Sequence, residues 1–499
     1  MFGGLDEGGS GHRGRDDVTL CGDTDCRERS LVVLDPRCRV VRHEENAAAA
    51  GPEAFDRADR PGDRTVSEPD DAVEVAENRR DRVGTQFCHD EMVARTAAYE
   101  WHPVVVPRFT PFPALRYADR QIDDLIAPPY DVLSDADLDA LNARDRCNIT
   151  HVDVPRESDG PGRYDRAGET LRQWIEAGVI VADDEATYTL YRMRFVDAAG
   201  ANRDIVGVLG GLEVGPYGEC GVLPHERITP KASTDRLDLT RSTRANMSPI
   251  WGLSLASGLT DLLTEPAEAI ASVTIDGVEH TVERVTDADR IAAISAKLAT
   301  DDVLIADGHH RYGVAQKFRD EVRESTGSDA SPAEDTLAFV SELVAEQLSV
   351  EAIHRLYTGI SFDDLTAALD VGFDRSPAAA PSAETLAEMD RRGALVLVGP
   401  DGQGQWLTPK VGAFDDVRTL DGVWLEHLLT DTEHDVSYQH GVDRVVDAVT
   451  SGSATAAVMI RPVSVAEIER TAREGVVMPP KSTFFTPKLL TGLVMRPLA

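Results

Sequence analysis

The sequence predicts an α/β or α+β fold in which a mixed sheet carries flanking helices. From about Val104 to the end of the chain, short apolar runs typical of strands alternate with amphipathic segments at helical spacing. The 499 residues are 42% hydrophobic, which is enough for a substantial core. Before Val104 this pattern is absent, so the predicted fold belongs to the later part of the chain.

The elements follow from local patterns, taken in order. Ser134 precedes "DADLDALNA" and can cap a helix there, and a second helix is expected over Tyr164–Ile180 with its stop at Gly178. Next come the strands "ATYTLYRMRFV" and "IVGVLGGLEV", the helix "DADRIAAISAKLA", the buried strand "DDVLIAD" and the helix "YGVAQKFRDEVRES". Further on, the helices "DGVWLEHLLTD" and "VSVAEIERTAREG" flank the strand "TAAVMIRPV".

The chain is strongly acidic. Its net charge of −36 arises from 87 Asp and Glu against 51 Lys and Arg, and only six of these bases are Lys. This composition is typical of a salt-adapted cytoplasm, because dense carboxylates stay hydrated where salt screens charge. An acidic protein from an ordinary cell, or a GC-rich coding bias, gives the same composition. Either way, such a surface disfavours nucleic acid as a partner.

No apolar run approaches the length of a membrane span, and the beginning of the sequence lacks the pattern of a secretory signal. We therefore expect a cytoplasmic protein without membrane association. Six Cys in so long a chain do not make a disulfide framework, and we expect Cys147 and Cys220 to be small buried residues.

The first part of the chain has the composition of a disordered segment. Residues 1–91 contain 22 acids and 13 Arg with few aromatics, so they cannot bury enough apolar surface to offset the entropy of ordering. We predict an acidic extension over residues 1–100. The alternative is that translation starts at Met92 and that residues 1–91 come from a start codon assigned too far upstream. Residues 101–499 then form the globular unit, and we expect a boundary between two lobes near 360–385.

Four residues in the extension could be drawn as a metal site, namely Cys21, Cys26, Cys38 and His43. Structural zinc knuckles use tighter pairs and flanking strands, so we do not predict a metal site there.

The stretch "IADGHHRY" carries the strongest functional signal. Asp307 would end a buried strand, Gly308 would permit a tight turn, and the next helix would direct its N–H groups and positive dipole end to the same place, an arrangement that binds phosphate. Arg311 can add a bidentate grip, while His309 and His310 offer metal ligation or proton transfer. Asp307 could also hold a divalent cation. The alternative is that Asp307 caps the helix and the histidines satisfy backbone groups.

A second cluster lies in "GVLPHERITPKASTDRLDLTRSTRANMSPIWGL". Glu226 is a candidate general base or metal ligand in a dense polar turn. Lys231 is informative because this chain otherwise uses Arg for positive charge. The candidate substrate or phosphate-binding residues of this cluster are His225, Arg227, Lys231, Arg236 and Asn246. The alternative is an exposed loop with ion pairs.

Two further motifs are less specific. In "MPPKSTFFTPKLLTGL", Lys481, Ser482 and Thr483 are similar to the cation and hydroxyl of phosphate loops, without the glycine-rich approach of a P-loop. We expect this tail to fold back so that Lys481 reaches a phosphate or carboxylate; packing by Phe484 and Phe485 is the alternative. The motif "APPYDV", with Asn148 downstream, fits a substrate-side loop or a plain turn.

In combination, "PFPALRY", "IAPPYDVLS", "LPHERI", "IADGHHRY" and "MPPKSTFFTPKLLTGL" resemble the bacterial and archaeal family catalogued as domain of unknown function 1015. The resemblance runs from about Val104 to Leu498. The chain departs from the family at "EAIHR", where a Pro-Thr-His-Arg segment is expected, but it keeps His354 and Arg355. The Asp-Gly-His-His-Arg turn is also similar to the nucleotide-binding turn of the ParB/sulfiredoxin superfamily, which includes free-serine kinases. This implies a ParB/sulfiredoxin-like core within the mixed sheet.

The resemblance implies roles for the site residues. Glu226 would accept the proton of a substrate hydroxyl, and the turn from Asp307 to Arg311 would handle the phosphoryl donor and its Mg²⁺. We therefore expect a phosphotransferase that acts on a small metabolite such as serine, with ATP, ADP or pyrophosphate as donor. A metal-dependent phosphohydrolase and a non-catalytic nucleotide-binding module are the alternatives.

Overall fold

The computed structural model describes residues 105–119, 121–198, 200–226 and 233–499. The predicted extension over residues 1–100, which contains the group of Cys21, Cys26, Cys38 and His43, lies outside the described residues. The predicted site residues Arg227 and Lys231 lie outside them as well.

In chain order, the first elements are β1 (Phe109–Thr110), β2 (Leu115–Tyr117), α1 (Asp135–Arg144), α2 (Thr150–Asp153), α3 (Arg163–Glu176), β3 (Ile180–Ala182), β4 (Tyr188–Val196), β5 (Asn202–Glu213), β6 (Val222–Pro224), α4 (Ser233–Thr243), β7 (Ala245–Asn246), β8 (Ile250–Ser254), α5 (Leu259–Thr264), β9 (Glu268–Ile275), β10 (Val278–Val285), α6 (Ala288–Leu298), β11 (Val303–Asp307), α7 (His309–Thr326) and β12 (Asp335–Glu342).

The remaining elements are β13 (Ser349–Glu351), β14 (His354–Thr358), α8 (Phe362–Leu369), β15 (Phe373–Pro377), α9 (Ala383–Arg392), β16 (Leu395–Val398), β17 (Gly404–Pro409), α10 (Asp421–Leu429), β18 (Asp435–Gln439), α11 (Val442–Thr450), β19 (Ala456–Met459), α12 (Val465–Arg473), β20 (Phe484–Thr486) and β21 (Arg496–Pro497).

The larger sheet is mixed and has nine strands. Eight follow the order β6-β11-β8-β12-β5-β4-β10-β9, and β1 pairs with β5. The pairs β11·β6 and β12·β8 are parallel, while the other strand pairs are antiparallel. The predicted class, a mixed sheet with flanking helices, is confirmed.

The smaller sheet has six strands in the order β15-β17-β16-β19-β14-β18. All its pairs are antiparallel. Its buried apolar side chains form cores of their own, such as the cluster around Leu365, Leu397 and Val458. The strand β14 begins at His354. A lobe boundary near 360–385 stays a prediction.

Local signals explain several elements. The side chain of Ser134 accepts a hydrogen bond from Asp137 N, so Ser134 caps α1 as expected, and the Asp137 side chain accepts from Ser134 N to complete a capping box. Asp287 and Ser464 cap α6 and α12, each through a side-chain oxygen that accepts from the third helical residue. Cys147 and Cys220 are free and buried, as expected.

The C-terminal tail folds back across one end of the larger sheet. Met478 N donates to His225 O at 2.9 Å, β20 pairs with β13, and β21 pairs with β7. This return path places the motif that begins at Lys481 beside the ends of β6 and β11. None of the helices in the described ranges is long and apolar enough to cross a membrane.

Candidate functional site

Two neighbouring parallel strands end side by side at the candidate site. Val222, Leu223 and Pro224 of β6 pair with Val303, Leu304 and Ile305 of β11. Glu226 and Asp307 each lie two residues beyond the last pair. Because adjacent strands are about 4.8 Å apart, their side chains emerge at one edge of the sheet.

A tight turn joins β11 to α7. Gly308 has a φ of 90°, and a Cβ there would lie 2.9 Å from Ile250 Cγ2, so both the conformation and the space favour glycine. The helix α7 begins directly at His309 and has neither a side-chain cap nor an acidic residue in its first turn. Asp307 therefore does not cap the helix, and the N-terminal N–H groups of α7 point to the strand end.

Asp307 lies between two cations. Lys488 Nζ donates to its Oδ1 at 2.7 Å, and Arg311 NH2 donates to its Oδ2 at 2.7 Å. Burial alone would raise the pKa of Asp307, but Lys488 and Arg311 outweigh burial and hold it well below its usual value. The carboxylate is ionised at neutral pH and fixes both cations at the start of α7.

Two histidine rings meet beside this turn. His225 bonds through Nδ1 to Ile305 O at 2.6 Å and through Nε2 to Thr483 Oγ1 at 2.7 Å, so both of its ring nitrogens have partners. The ring of His309 lies 4.9 Å from that of His225 between centroids. His309 is buried, and its Nε2 has no hydrogen-bond partner among the described residues. Burial and the nearby His225 lower the pKa of His309 well below 6.5, so His309 is neutral at pH 7.

A backbone N–H of the C-terminal tail binds the carboxylate of Glu226. Its Oε2 accepts a hydrogen bond from Ser482 N at 3.2 Å and lies 3.8 Å from His225 Nε2. The Ser482 hydroxyl donates to Pro479 O at 2.8 Å. Ser482 therefore binds Glu226 through its backbone N–H, while the Ser482 hydroxyl stabilises the local turn.

The tail cation that reaches a carboxylate is Lys488. The Lys481 side chain is exposed, and its backbone has a φ of 57°. The Lys481 carbonyl accepts from Arg355 NH1 at 3.0 Å. Phe485 is buried and packs edge-on against His225 at 5.9 Å, so packing by this tail accompanies its polar contacts.

A second group of charges adjoins the turn. Arg236 NH1 donates to Asp153 Oδ1 at 3.1 Å, and the Arg236 guanidinium lies 3.5 Å from the ring centroid of Tyr130, in the "APPYDV" motif. Arg236, Asn246 and Arg311 all line one pocket. The Oδ1 atom of Asn246 accepts from Leu337 N at 3.0 Å, which gives Asn246 a structural contact in addition.

The other predicted positions are also accounted for within the described chain. His310 is half-buried and is the second residue of α7. Asn148 donates through Nδ2 to Asp124 O at 2.7 Å, so it shapes the loop that precedes "APPYDV".

Sequence reasoning missed Lys488, Arg355, Tyr130 and Asp153 as individual contributors. For Lys488 a signal existed, because three of the six Lys of the chain lie in the motifs at 231, 481 and 488. For Arg355 the signal was the retained His-Arg pair of "EAIHR".

No group of three or more His, Cys, Asp or Glu within the described ranges could hold a metal ion. Both carboxylate oxygens of Asp307 are engaged by cations. The described side chains therefore do not fit a metal ion bound at Asp307.

Comparisons with known proteins concern the family and the fold. A family model described as "Protein of unknown function (DUF1015)" matches residues 109–423. No curated protein matches the chain. Similar solved structures include a conserved hypothetical protein from Pyrococcus furiosus, with 14% identity, a TM-score of 0.30 and coverage of 54% of this chain and 90% of that one.

A free serine kinase in complex with AMP has 13% identity and a TM-score of 0.31 over 55% of this chain and 88% of its own. SbnI from Staphylococcus aureus, with a C-terminal truncation, has 13% identity and a TM-score of 0.31 over 57% of this chain and 85% of its own. TM-scores of 0.30 and 0.31 are too low to bear on activity.

Proposed function

The chain belongs to the family described as "Protein of unknown function (DUF1015)", and we propose that it is a phosphotransferase acting on a hydroxyl group of a small metabolite. The phosphoryl donor is a nucleotide or pyrophosphate. One observation carries the proposal: the adjacent parallel strands β6 and β11 end together, so that the carboxylate of Glu226 lies at the same edge as the basic start of α7.

The start of α7 supports binding of a phosphoryl group. Its N–H groups and dipole favour an anion, and no acidic residue in its first turn competes. Arg311 and Lys488 add two positive charges that Asp307 holds in place. Such preorganised cations stabilise the charge that spreads over a transferring phosphoryl group.

Glu226 supports the transfer step. A carboxylate that is already held by Ser482 N–H can orient the hydroxyl of the acceptor and take its proton as the bond to phosphorus forms. The phosphoryl group leaves its donor and joins the acceptor oxygen, and the donor departs with one phosphoryl group fewer. His309, neutral and with Nε2 unpartnered among the described residues, adds a hydrogen-bonding group beside this edge.

Mg²⁺ has no ligand set among the described side chains. An ion that accompanies the donor usually binds substrate phosphates and water in addition to one or two carboxylates. We assign no step of the transfer to it, and Asp307 acts here by holding Lys488 and Arg311.

Phosphorus NMR on the full chain tests the reaction class. The protein is supplied in concentrated KCl with Mg²⁺ and L-serine, and with ATP, ADP or pyrophosphate in turn. L-serine comes first because the Asp-Gly-His-His-Arg turn resembles that of free-serine kinases. We expect a phosphomonoester signal that appears with one donor and requires the acceptor.

Orthophosphate without a phosphomonoester would contradict transfer and favour a phosphohydrolase, with water as the acceptor. If spectra stay unchanged with serine, other small alcohols are tried. Donor binding without any product in that series would favour a nucleotide-binding module and overturn the proposal.

A further inference from the structure

Arg355 is a buried cation that the smaller sheet contributes to the candidate site. It lies on β14, where it pairs with Tyr438 of β18, and its guanidinium lies 4.9 Å from the Tyr438 ring centroid. Only 5% of the residue is exposed, and burial lowers its pKa. The carboxylates of Glu426 and Glu226 attract the guanidinium, and hydrogen bonds to backbone carbonyls fix its position.

The guanidinium bonds to carbonyl groups. Arg355 NH1 donates to Ile353 O at 2.5 Å and to Lys481 O at 3.0 Å. Its NH2 packs against Gly422 in the first turn of α10, where a Cβ would lie 3.0 Å from NH2. Glycine at 422 therefore leaves room for the guanidinium to point towards the tail.

One peptide group connects Arg355 to Glu226. The carbonyl that Arg355 binds and the N–H that Glu226 accepts both belong to the peptide between Lys481 and Ser482. In a trans peptide, C=O and N–H point in opposite directions, so the cation and the carboxylate hold this group from its two sides. A hydrogen bond to the carbonyl also polarises the peptide and strengthens its N–H as a donor.

The backbone at this point is strained. Lys481 has a φ of 57°, a conformation that non-glycine residues keep only where their surroundings impose it. The bonds on either side of the Lys481–Ser482 peptide supply that constraint. The Lys481 side chain itself is exposed, so the tie to the site runs through the backbone.

We infer that Arg355 is a positioning residue that aligns the Glu226 carboxylate through the Lys481–Ser482 peptide group. The smaller sheet thereby takes part in the reaction carried out at the edge of the larger one. This inference rests on the proposed function for its effect on turnover, whereas its structural part, the constraint on the tail, stands without it.

The test uses Arg355→Met in the full chain, which keeps much of the side-chain length and removes the charge and the donors. Glu226 acts on the acceptor in the transition state, so we expect kcat to fall on the order of tenfold to a hundredfold while KM for the phosphoryl donor stays within about threefold. Arg355→Lys keeps the charge and a donor and should recover part of kcat.

Hydrogen exchange read by mass spectrometry tests the constraint without any activity. In Arg355→Met the Ser482 amide should exchange about tenfold faster than in the wild type, since a bond that fixes its peptide is lost. The control for loss of a buried arginine is Arg192→Met. Arg192 lies on β4 and donates to the backbone carbonyls of Leu263 and Thr264 and to the carboxylate of Glu283.

In Arg192→Met, the exchange rate of the Ser482 amide and kcat should both equal those of the wild type. Gly422→Ala is the second variant, because alanine is favourable in a helix and its Cβ displaces the guanidinium without deleting it. It should shift kcat and Ser482 exchange in the same direction as Arg355→Met, by less.

A folded Arg355→Met with wild-type kcat and wild-type Ser482 exchange would overturn the inference. So would a rise in KM for the phosphoryl donor at unchanged kcat, which would make Arg355 a direct phosphate ligand. If the wild type shows no turnover, the proposed function fails, and the exchange data still decide whether Arg355 constrains the tail.

Discussion

At the scale of single residues, Lys488 is the contact that ties the tail to the end of β11. It reaches Asp307 across 181 residues of sequence, and its Nζ also lies 4.4 Å from the ring centroid of Phe484. Asp307 could be proposed as a candidate site residue because the strand, the glycine and the helix around it are neighbours in the sequence. Its partner could not, since nothing in the spacing of the tail tells which of Lys481 and Lys488 turns inward.

We expect Lys488→Met to lower the free energy of unfolding at pH 7 by about 2 kcal/mol, because Asp307 keeps Arg311 but loses one of its two partners. Affinity for the phosphoryl donor should fall at least about tenfold. Chemical denaturation and isothermal calorimetry measure the two effects. Lys410→Met is the control, since Lys410 donates to the backbone carbonyl of Asp370 near the smaller sheet.

The stability difference should depend on pH with a defined sign. Folding lowers the pKa of the Asp307 carboxylate below its ordinary value of 3.8. The carboxylate therefore stabilises the fold at pH values above 3.8, and this contribution is lost as the pH falls towards the pKa of the folded state. The difference in the free energy of unfolding between the wild type and Lys488→Met should therefore be largest at pH 7 and become smaller below about pH 4. An equal difference in the free energy of unfolding at pH 7 and pH 3 would show that it does not arise from the ion pair of Lys488 with Asp307.

At the scale of elements, the unit β11–Gly308–α7 could be predicted almost completely. An apolar run, a glycine and an amphipathic segment follow each other directly, and these signals depend on neighbours in sequence. The helix begins at His309, three residues before the segment assigned from its periodicity. The hairpin of β9 and β10 was not assigned, because its burial pattern depends on the neighbouring strand β4.

Gly308→Ala tests the turn. Alanine at a φ of 90° is strained, and its Cβ would lie 2.9 Å from Ile250 Cγ2. We expect a loss of about 2 kcal/mol in stability together with weaker binding of the phosphoryl donor. Gly313→Ala is the matched control within α7, because a Cβ there meets no atom within 4 Å. It should raise stability by about 1 kcal/mol through helix propensity and leave donor binding unchanged.

Thermal unfolding compares the two glycine variants. A Gly308→Ala protein as stable as the wild type would contradict the geometry given for the turn. A loss of donor binding in Gly313→Ala equal to that in Gly308→Ala would place the effect in the helix as a whole.

At the scale of the whole molecule, the candidate site is assembled from four distant parts of the chain. Glu226, Asp307, Arg355 and Lys488 come from the ends of β6 and β11, from β14 in the smaller sheet and from the tail. The motifs were visible in the sequence, and so was the mixed sheet. The order of the strands in the sheet could not be predicted from the sequence. The parallel pairing of β6 with β11, for example, joins segments about 80 residues apart and leaves no local sequence pattern.

In the proposed function, Glu226 and the basic start of α7 form one phosphotransfer site with separable roles. Glu226→Gln keeps the shape of the side chain and removes the charged acceptor of the proton. Glu219→Gln is its control, since Glu219 is exposed in the turn before β6.

The most direct measurement is phosphorus NMR of phosphomonoester formation by Glu226→Gln, with calorimetry of the phosphoryl donor on the same preparation. We predict a loss of product formation of at least about a hundredfold, with the dissociation constant of the donor within about threefold of the wild type. Glu219→Gln should match the wild type in both. Wild-type turnover by Glu226→Gln, or a joint loss of turnover and donor binding, would contradict the assignment of Glu226 as the base.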